Sequence, residues 1–497
     1  MRQLIAFVGL AFLVSAPSAA ADSNLFVGVT EDAFRWRSVA SVSVARDLGL
    51  PAFRVSLGWS PGQTELAPAD ADAFDAMVPA AAGLRVVVTV FGAARSAPAD
   101  DVARDAFCMY TRALLERYPT INDVVIWNEA NLGFFWQPQF TPAGTSVAPA
   151  SYQALLARCW DVLHAFRPGV NVLLTTSPGG NDNAVAVSNV SHSPGAFVRK
   201  VGDAYRASGR TARIFDNVGH NPFGASSAEP PWRRHLDPSH IAQGDVDRLV
   251  QAFEVGFRGT SQPIPGRCTG TPLVCASIWY LEAGYQTEPP SDRHSSYFGR
   301  ENDARPIPDG GSGTSAPSQA KQLIHGIQLA YCQPHVGAFF NFLLWDEADL
   351  ARWQSGVLWA DGSPKASFGP LRQVVAEVHE DRVDCAKVKA RQATPSAPAG
   401  DALVERLEWS ALRRFSAFNT IWTFAVAARA DARFRATVFR AGTRRVVLAV
   451  AGTLKRSHPR TVRFPERQLR PGSYRIELVV SRARLTIARR SPVFVVE

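Results

Sequence analysis

The 497-residue chain lacks the marks of several protein classes. No Gly-x-Gly-x-x-Gly follows its first strand-like segment and no phosphate loop occurs, which removes the usual grounds for a dinucleotide or nucleotide site. None of the six cysteines has the Cys-x-x-Cys or Cys/His spacing of a zinc site. Basic and aromatic residues do not interleave as they do in nucleic-acid modules, so nucleic acid is not an expected partner. Only one run, residues 4–14, is apolar enough to enter a membrane, and it is too short to span one. With 46% hydrophobic and 20% charged residues, wholesale disorder is excluded. What the chain does have is tryptophan, 12 residues of it, enough to build a large core and line a cleft.

The N-terminal run follows Met1-Arg2 and precedes Ala-Pro-Ser-Ala-Ala-Ala-Asp at 16–22. A basic start, a short apolar stretch and small residues before a cleavage point describe a signal peptide over 1–21, with an anchor helix as the alternative. The expectation is a secreted, extracellular protein without a stable membrane span. In an oxidising compartment six cysteines suit disulfides. Cys268 and Cys275 bracket a turn-rich loop that a local bridge would close. Cys108 and Cys159 lie in neighbouring helical patterns, which leaves Cys332 for Cys385; for these four, free buried thiols are the alternative.

Charge is unevenly spread. Of the net +9, residues 401–497 carry +13 (20 Lys and Arg against 7 Asp and Glu), leaving −4 for the rest. Either the tail holds an anionic cell-wall polymer or acidic polysaccharide, or it presents a solvated arginine-rich face. Residues 391–400, rich in Pro, Ala and Ser, form a linker. Beyond it, apolar or alternating runs at 434–439, 445–450, 461–464, 474–480 and 485–496 are separated by Ala-Gly at 441–442, Ala-Gly at 451–452 and Arg-Pro-Gly at 470–472. This rhythm predicts a C-terminal antiparallel β-sandwich of Ig-like type over 401–497, with 401–430 ambiguous between helix and strand.

Residues 22–390 have a different rhythm. Short β-branched runs at 26–29, 52–57, 85–91, 124–127, 172–176, 215–220, 276–281 and 338–344 alternate with amphipathic stretches such as 100–117, 151–166 and 318–332. Eight strands interleaved with helices predict an α/β fold, a (β/α)8 TIM barrel with inserted loops. In such barrels chemistry sits where strands hand over to the following loops. The fourth run ends in Val-Val-Ile-Trp-Asn-Glu-Ala-Asn at 124–131, placing Glu129 at the rim. The seventh ends in Ser-Ile-Trp-Tyr-Leu-Glu-Ala-Gly-Tyr at 277–285, placing Glu282 there as well. An acid leaving an apolar strand is partly desolvated and suited to donate a proton, and a second carboxylate about 5 Å away can attack an anomeric carbon.

Ile126-Trp127-Asn128-Glu129-Ala130-Asn131 resembles the Trp-Asn-Glu-Pro-Asn signature of clan A glycoside hydrolases, particularly families 5 and 39. The resemblance implies a retaining O-glycosyl hydrolase acting on a poly- or oligosaccharide, with Glu129 as acid/base, Glu282 as nucleophile and Asn128 bonding the sugar 2-hydroxyl. It extends to Phe53-Arg54-Val55, where Arg54 supports the acids from beneath. It also covers His220-Asn221-Pro222-Phe223, where His220 contacts substrate or acid, and the stretch from Phe342 to Lys365, where Trp345 is a stacking platform. Ala130 replaces the usual proline, and Phe223 stands where a tyrosine is common, so Tyr285 is the candidate to bond the nucleophile. Trp59 and Trp136 are further candidate platforms. Asp346, Glu347 and Asp349 either hold a cation or are solvated, and the Gly/Ser-rich 310–318 reads as a loop beside the cleft. No cofactor or metal is called for. A barrel that binds carbohydrate without catalysis, and a transglycosylase, are the alternatives.

Overall fold

The computed structural model describes residues 25–393 apart from 185–189, 236, 272, 304–305 and 311–316, then 404–408, 423–428 and most of 431–463 and 472–496. The expected signal segment, residues 311–316 of the expected 310–318 loop and residues 394–400 of the expected linker lie outside the described residues; 391–393 complete a helix.

Eight parallel strands close into a barrel: β1 Phe26–Thr30, β2 Ala52–Gly58, β3 Arg85–Phe91, β4 Asp123–Ile126, β5 Asn171–Thr176, β6 Asn217–His220, β7 Ile278–Ala283 and β8 Val336–Phe342. β8 returns to pair with β1. A helix follows each strand in turn: α1 Ser38–Asp47, α2 Pro68–Ala80, α3 Asp101–Arg117, α4 Ala148–Phe166, α5 Pro194–Ala207, α6 Val246–Gly256, α7 Gln319–Tyr331 and α8 Phe368–His379, with α9 Cys385–Ala393 appended. The strands read as continuous apolar runs because both faces are covered, one by the helices and one by the lumen. Alternate residues point inward, so Ala52, Val87, Val125, Leu173, Trp279, Leu281, Ala338 and Phe340 fill the lumen as one cluster. Small residues make room for large ones there: a Cβ on Gly28 would lie 2.6 Å from the Phe340 ring. Above this apolar layer the inward positions turn polar, with Arg54 on β2, Thr89 on β3 and Thr175 on β5, all buried. That change of layer is what places chemistry at the C-terminal face.

The three disulfides pair as the sequence suggested. Cys108–Cys159 ties α3 to α4, Cys332–Cys385 ties the end of α7 to α9, and Cys268–Cys275 closes the turn ahead of β7. Each of the two long ones closes a loop of about 50 residues, which by chain entropy stabilises by about 4 kcal/mol. Among the described residues, no helix is long and apolar enough to cross a membrane.

The C-terminal region forms two antiparallel sheets. One orders β13 Arg460–Arg463, β10 Thr423–Ala428 and β9 Val404–Glu408; the other orders β12 Val446–Leu454, β11 Ala432–Arg440, β14 Gly472–Arg482 and β15 Leu485–Arg490, with β16 Phe494–Val496 on β14. Both contribute to one apolar cluster, from Val426 and Val462 on one side to Phe434, Ile476 and Leu478 on the other. The ambiguous stretch 401–430 thus contains two strands. The turn expected at Ala-Gly 451–452 is not one, because both residues lie inside β12, where Gly452 leaves space for the Phe434 ring.

Gly28→Ala is expected to lower Tm by roughly 5 °C, since the new methyl meets a ring held in the lumen and the Ala52 carbonyl at 2.9 Å. Gly169→Ala, with open space at its Cβ, serves as the control and should leave Tm unchanged in the same thermal unfolding experiment.

Candidate active site

Arg54 sits in the lumen at 2% exposure and carries its charge entirely on protein partners. Nε donates to Thr89 Oγ1 at 2.6 Å, Nη1 to Glu282 Oε1 at 2.7 Å and Nη2 to Asn128 Oδ1 at 3.2 Å. The guanidinium thus links β2 to the exits of β4 and β7.

The β4 exit is strained on purpose-built supports. Trp127 and Glu129 both adopt positive φ, 67° and 39°, in the left-handed region that L-residues avoid. Trp127 buries its ring against Trp59, Phe107 and Trp136 and donates Nε1 to the Phe135 carbonyl at 2.6 Å. The Glu129 amide donates to Thr175 Oγ1. Asn131 donates to Ser177 Oγ and to the carbonyls of Gly179 and His192, and accepts from the Ser177 amide, lashing the β4 exit to the β5 loop. Each residue of the motif therefore has a distinct partner, and Ala130 packs fully buried where a proline was the pattern.

Glu129 is 8% exposed, and its Oε1 accepts from Asn221 Nδ2 at 2.8 Å. Burial first, and the Glu282 charge second, raise its carboxyl well above the usual range; the Asn221 hydrogen bond and Arg54 only partly oppose this. The two acids are thus in different environments. Glu282 has a charged partner, whereas Glu129 is kept as a neutral acid near neutral pH.

Arg54, Asn128, Glu129 and Glu282 come together from β2 and the exits of β4 and β7. The other candidates are placed differently. His220 follows Gly219, whose Cβ would collide with Leu281 in the lumen, so alternation along β6 turns His220 outward. Both its ring nitrogens are engaged, with Thr176 Oγ1 at 2.9 Å and the Ile241 carbonyl at 2.9 Å, and burial lowers its pKa to about 4. It is a neutral structural histidine, and the inward residue is Asn221. Tyr285 is also turned away: its hydroxyl lies against Gly326 of α7, so it does not bond Glu282. Trp345 is 9% exposed and belongs to the core. Its amide, with that of Leu344, is held by the buried Glu31 carboxylate from the end of β1, another residue the sequence did not mark. Trp59 and Trp136 are buried in the core as well. Partly exposed aromatic surface comes instead from Phe223, Phe342 and Trp353, with Trp353 4.9 Å and 5.3 Å from the other two rings.

The acidic loop after β8 does not read as a cation site. Asp346 is buried and bonded to Lys365 Nζ at 2.6 Å, Tyr297 Oη and the Gly356 amide. Among the described residues no group of His, Cys, Asp and Glu side chains is placed to hold a metal.

No family model and no curated protein matches this chain. Among solved structures, it is similar to the FMN-binding β-glucuronidase from Faecalibacterium prausnitzii L2-6 at 12% identity and TM-score 0.39, over 95% of this chain and 56% of that one. The chain therefore spans little more than half the length of that protein. It is also similar to a GH5_18 protein from Streptomyces cattleya in complex with Manβ1-4GlcNAc (14%, TM-score 0.46, 79% and 85%) and one from Bifidobacterium longum subsp. infantis (14%, TM-score 0.44, 71% and 79%). Likenesses this distant say nothing about chemistry, so the site's own residues must.

Folding raises the Glu129 pKa from 4.5 to about 8, so the folded chain keeps a proton that the unfolded chain releases, and stability falls as pH rises across that interval. Glu129→Gln removes this dependence. We expect its Tm advantage over the parent to widen between pH 4.5 and 8 and to level off above; a constant difference across a pH series of melts would contradict the assignment.

Proposed function

We propose that this protein is a secreted retaining glycoside hydrolase of clan A type, acting on the O-glycosidic bonds of a poly- or oligosaccharide. The observation that carries the reading is the asymmetry of the two acids. Glu282, leaving β7, is ion-paired to the buried Arg54, while Glu129, leaving β4, is buried and protonated beside it. One carboxylate suited to attack and one acid suited to donate, on the β7 and β4 exits of a barrel's C-terminal face, are the parts of double displacement.

In this reading a Glu282 oxygen bonds to the anomeric carbon as the bond to the leaving oxygen breaks. The Glu129 proton passes to that oxygen, leaving a glycosyl ester on Glu282 and a carboxylate at Glu129. Water then attacks the anomeric carbon, gives its proton to Glu129, and frees Glu282 as the carboxylate. Asn128 has its Oδ1 committed to Arg54, so Nδ2 is the end available to a sugar hydroxyl such as the 2-hydroxyl. Phe223, Phe342 and Trp353 supply apolar faces for a pyranose ring. The chemistry requires no cofactor.

Residues 22–390 form the catalytic unit in this reading, and the basic 401–497 holds an anionic polymer. Strand register supports the second point. Arg433 and Arg435 lie exposed at alternate positions of β11, and Arg475 is exposed on the same face of neighbouring β14.

Two measurements test these readings. Reducing-sugar release from a panel of plant, fungal and bacterial polysaccharides should occur with the parent and drop by at least ~1,000-fold with Glu282→Gln; activity surviving intact in the variant would mean a different nucleophile. Deleting 401–497 should abolish salt-sensitive retention on an anionic matrix, and equal retention at low salt would end the polymer-binding reading.

A further inference from the structure

Asn221 stands one residue past β6 and is 1% exposed. It continues the inward face begun by Gly219, and its amide donates to the Thr176 carbonyl at 3.0 Å, which fixes where the side chain starts. From there Nδ2 donates to Glu129 Oε1. An amide NH2 has no lone pair to offer a proton, so Oε1 must be the accepting oxygen, and the acid proton of Glu129 belongs on Oε2. The other end of the amide is unusual. Asn221 Oδ1 is buried without a partner among the described residues, an acceptor that a buried site does not normally leave empty.

These two ends act together. If the amide were flipped, Oδ1 would take the Glu129 proton in a hydrogen bond and withhold it from the leaving oxygen. A donor arriving at Oδ1 favours the orientation in which Nδ2 holds Oε1. A sugar hydroxyl is such a donor. Resting on the glycosidase reading above, we propose that Asn221 is the positioning residue that assigns the acid proton of Glu129 to Oε2, and that a hydroxyl of the bound sugar locks it in that role by donating to Oδ1. Asparagine does not titrate, so the hold persists when Glu129 is an acid in the first half of the reaction and a carboxylate in the second.

The test compares the parent, Asn221→Ala, Asn221→Leu and Glu282→Gln on phenyl and 2,4-dinitrophenyl β-glycosides of glucose, mannose, xylose and glucuronic acid. Dinitrophenolate leaves without a proton; phenolate needs one. For Asn221→Ala we expect kcat/KM to fall about 100-fold on the phenyl glycoside, as general-acid help is lost, but only about 5-fold on the dinitrophenyl glycoside, the common loss being the sugar contact. The alkaline limb of the kcat/KM profile should move up by about one pH unit, because a hydrogen bond favouring the carboxylate has gone. The charged groups acting on Glu129 are Glu282 from β7 and Arg54 from β2, and both remain in the two Asn221 variants. Asn221→Leu keeps the volume, so it carries the same comparison if the alanine variant does not fold. Equal losses on both substrates with an unmoved limb, or unchanged kinetics, would overturn the proposal. A parent inactive on every glycoside, or activity retained in Glu282→Gln, would instead overturn the glycosidase reading and this inference with it.

Discussion

A guanidinium at 2% exposure inside the barrel is the constraint on which the rest of the site depends. Removing such a charge from water costs several kcal/mol unless its donors find acceptors of good geometry. Arg54 finds them on three other strands or their exits, in Thr89, Asn128 and Glu282. The requirement runs both ways. The arginine needs a carboxylate close by, and Glu282 acquires a fixed position and a permanent counter-charge from having to be that carboxylate. Asn128 is oriented by the same demand. Cutting the bond to Glu282 leaves a buried charge uncompensated, and cutting either of the others leaves a buried donor unsatisfied, so the polar layer above the apolar lumen behaves as one unit.

Glu129 shows the opposite solution to burial. It has no cation of its own, so it gives up its charge and sits as an acid between a neutral amide and the field of Glu282. Two chemically identical side chains thus sit in different electrostatic surroundings, one paired with a guanidinium and one buried against a neutral amide. The backbone beneath Glu129 is strained, and the strain persists because Thr175, Asn131 and the packed Trp127 over-determine the turn. On the other side of the barrel, Glu31 does similar work for the β8 exit by accepting from Leu344 and Trp345. Buried polar side chains spanning adjacent exits hold the rim where regular hydrogen-bond ladders have ended.

Much of this was legible before any fold was known. All eight barrel strands matched apolar runs, since parallel strands covered on both faces have almost no polar positions to blur the signal. The motif from Trp127 to Asn131 was legible too, through its resemblance to the Trp-Asn-Glu-Pro-Asn signature. Legibility failed over single residues. His220 and Asn221 are adjacent, yet one points among the helices and the other into the lumen, and a strand only four residues long offers too little alternation to tell which. Tyr285 and Trp345 lie past the ends of their strands, where side-chain direction no longer follows a period of two. Trp353 sits in a loop with no pattern at all.

The sequence by itself therefore pointed to the barrel, the antiparallel C-terminal strands and the Cys268–Cys275 bridge, and it set Glu129 and Glu282 at strand exits. Each of these is written in local periodicity, in spacing or in residue type. Only the tertiary structure decided which acid pairs with Arg54, that Asn221 rather than His220 meets Glu129, and that Asp346 is spent on Lys365. Those facts depend on desolvation and on partners brought together by the fold, most of them more than 70 residues apart along the chain, such as Arg54 with Asn128 and Asn221 with Glu129. Burial and long-range pairing exist only once the strands have closed, so no local pattern can encode them.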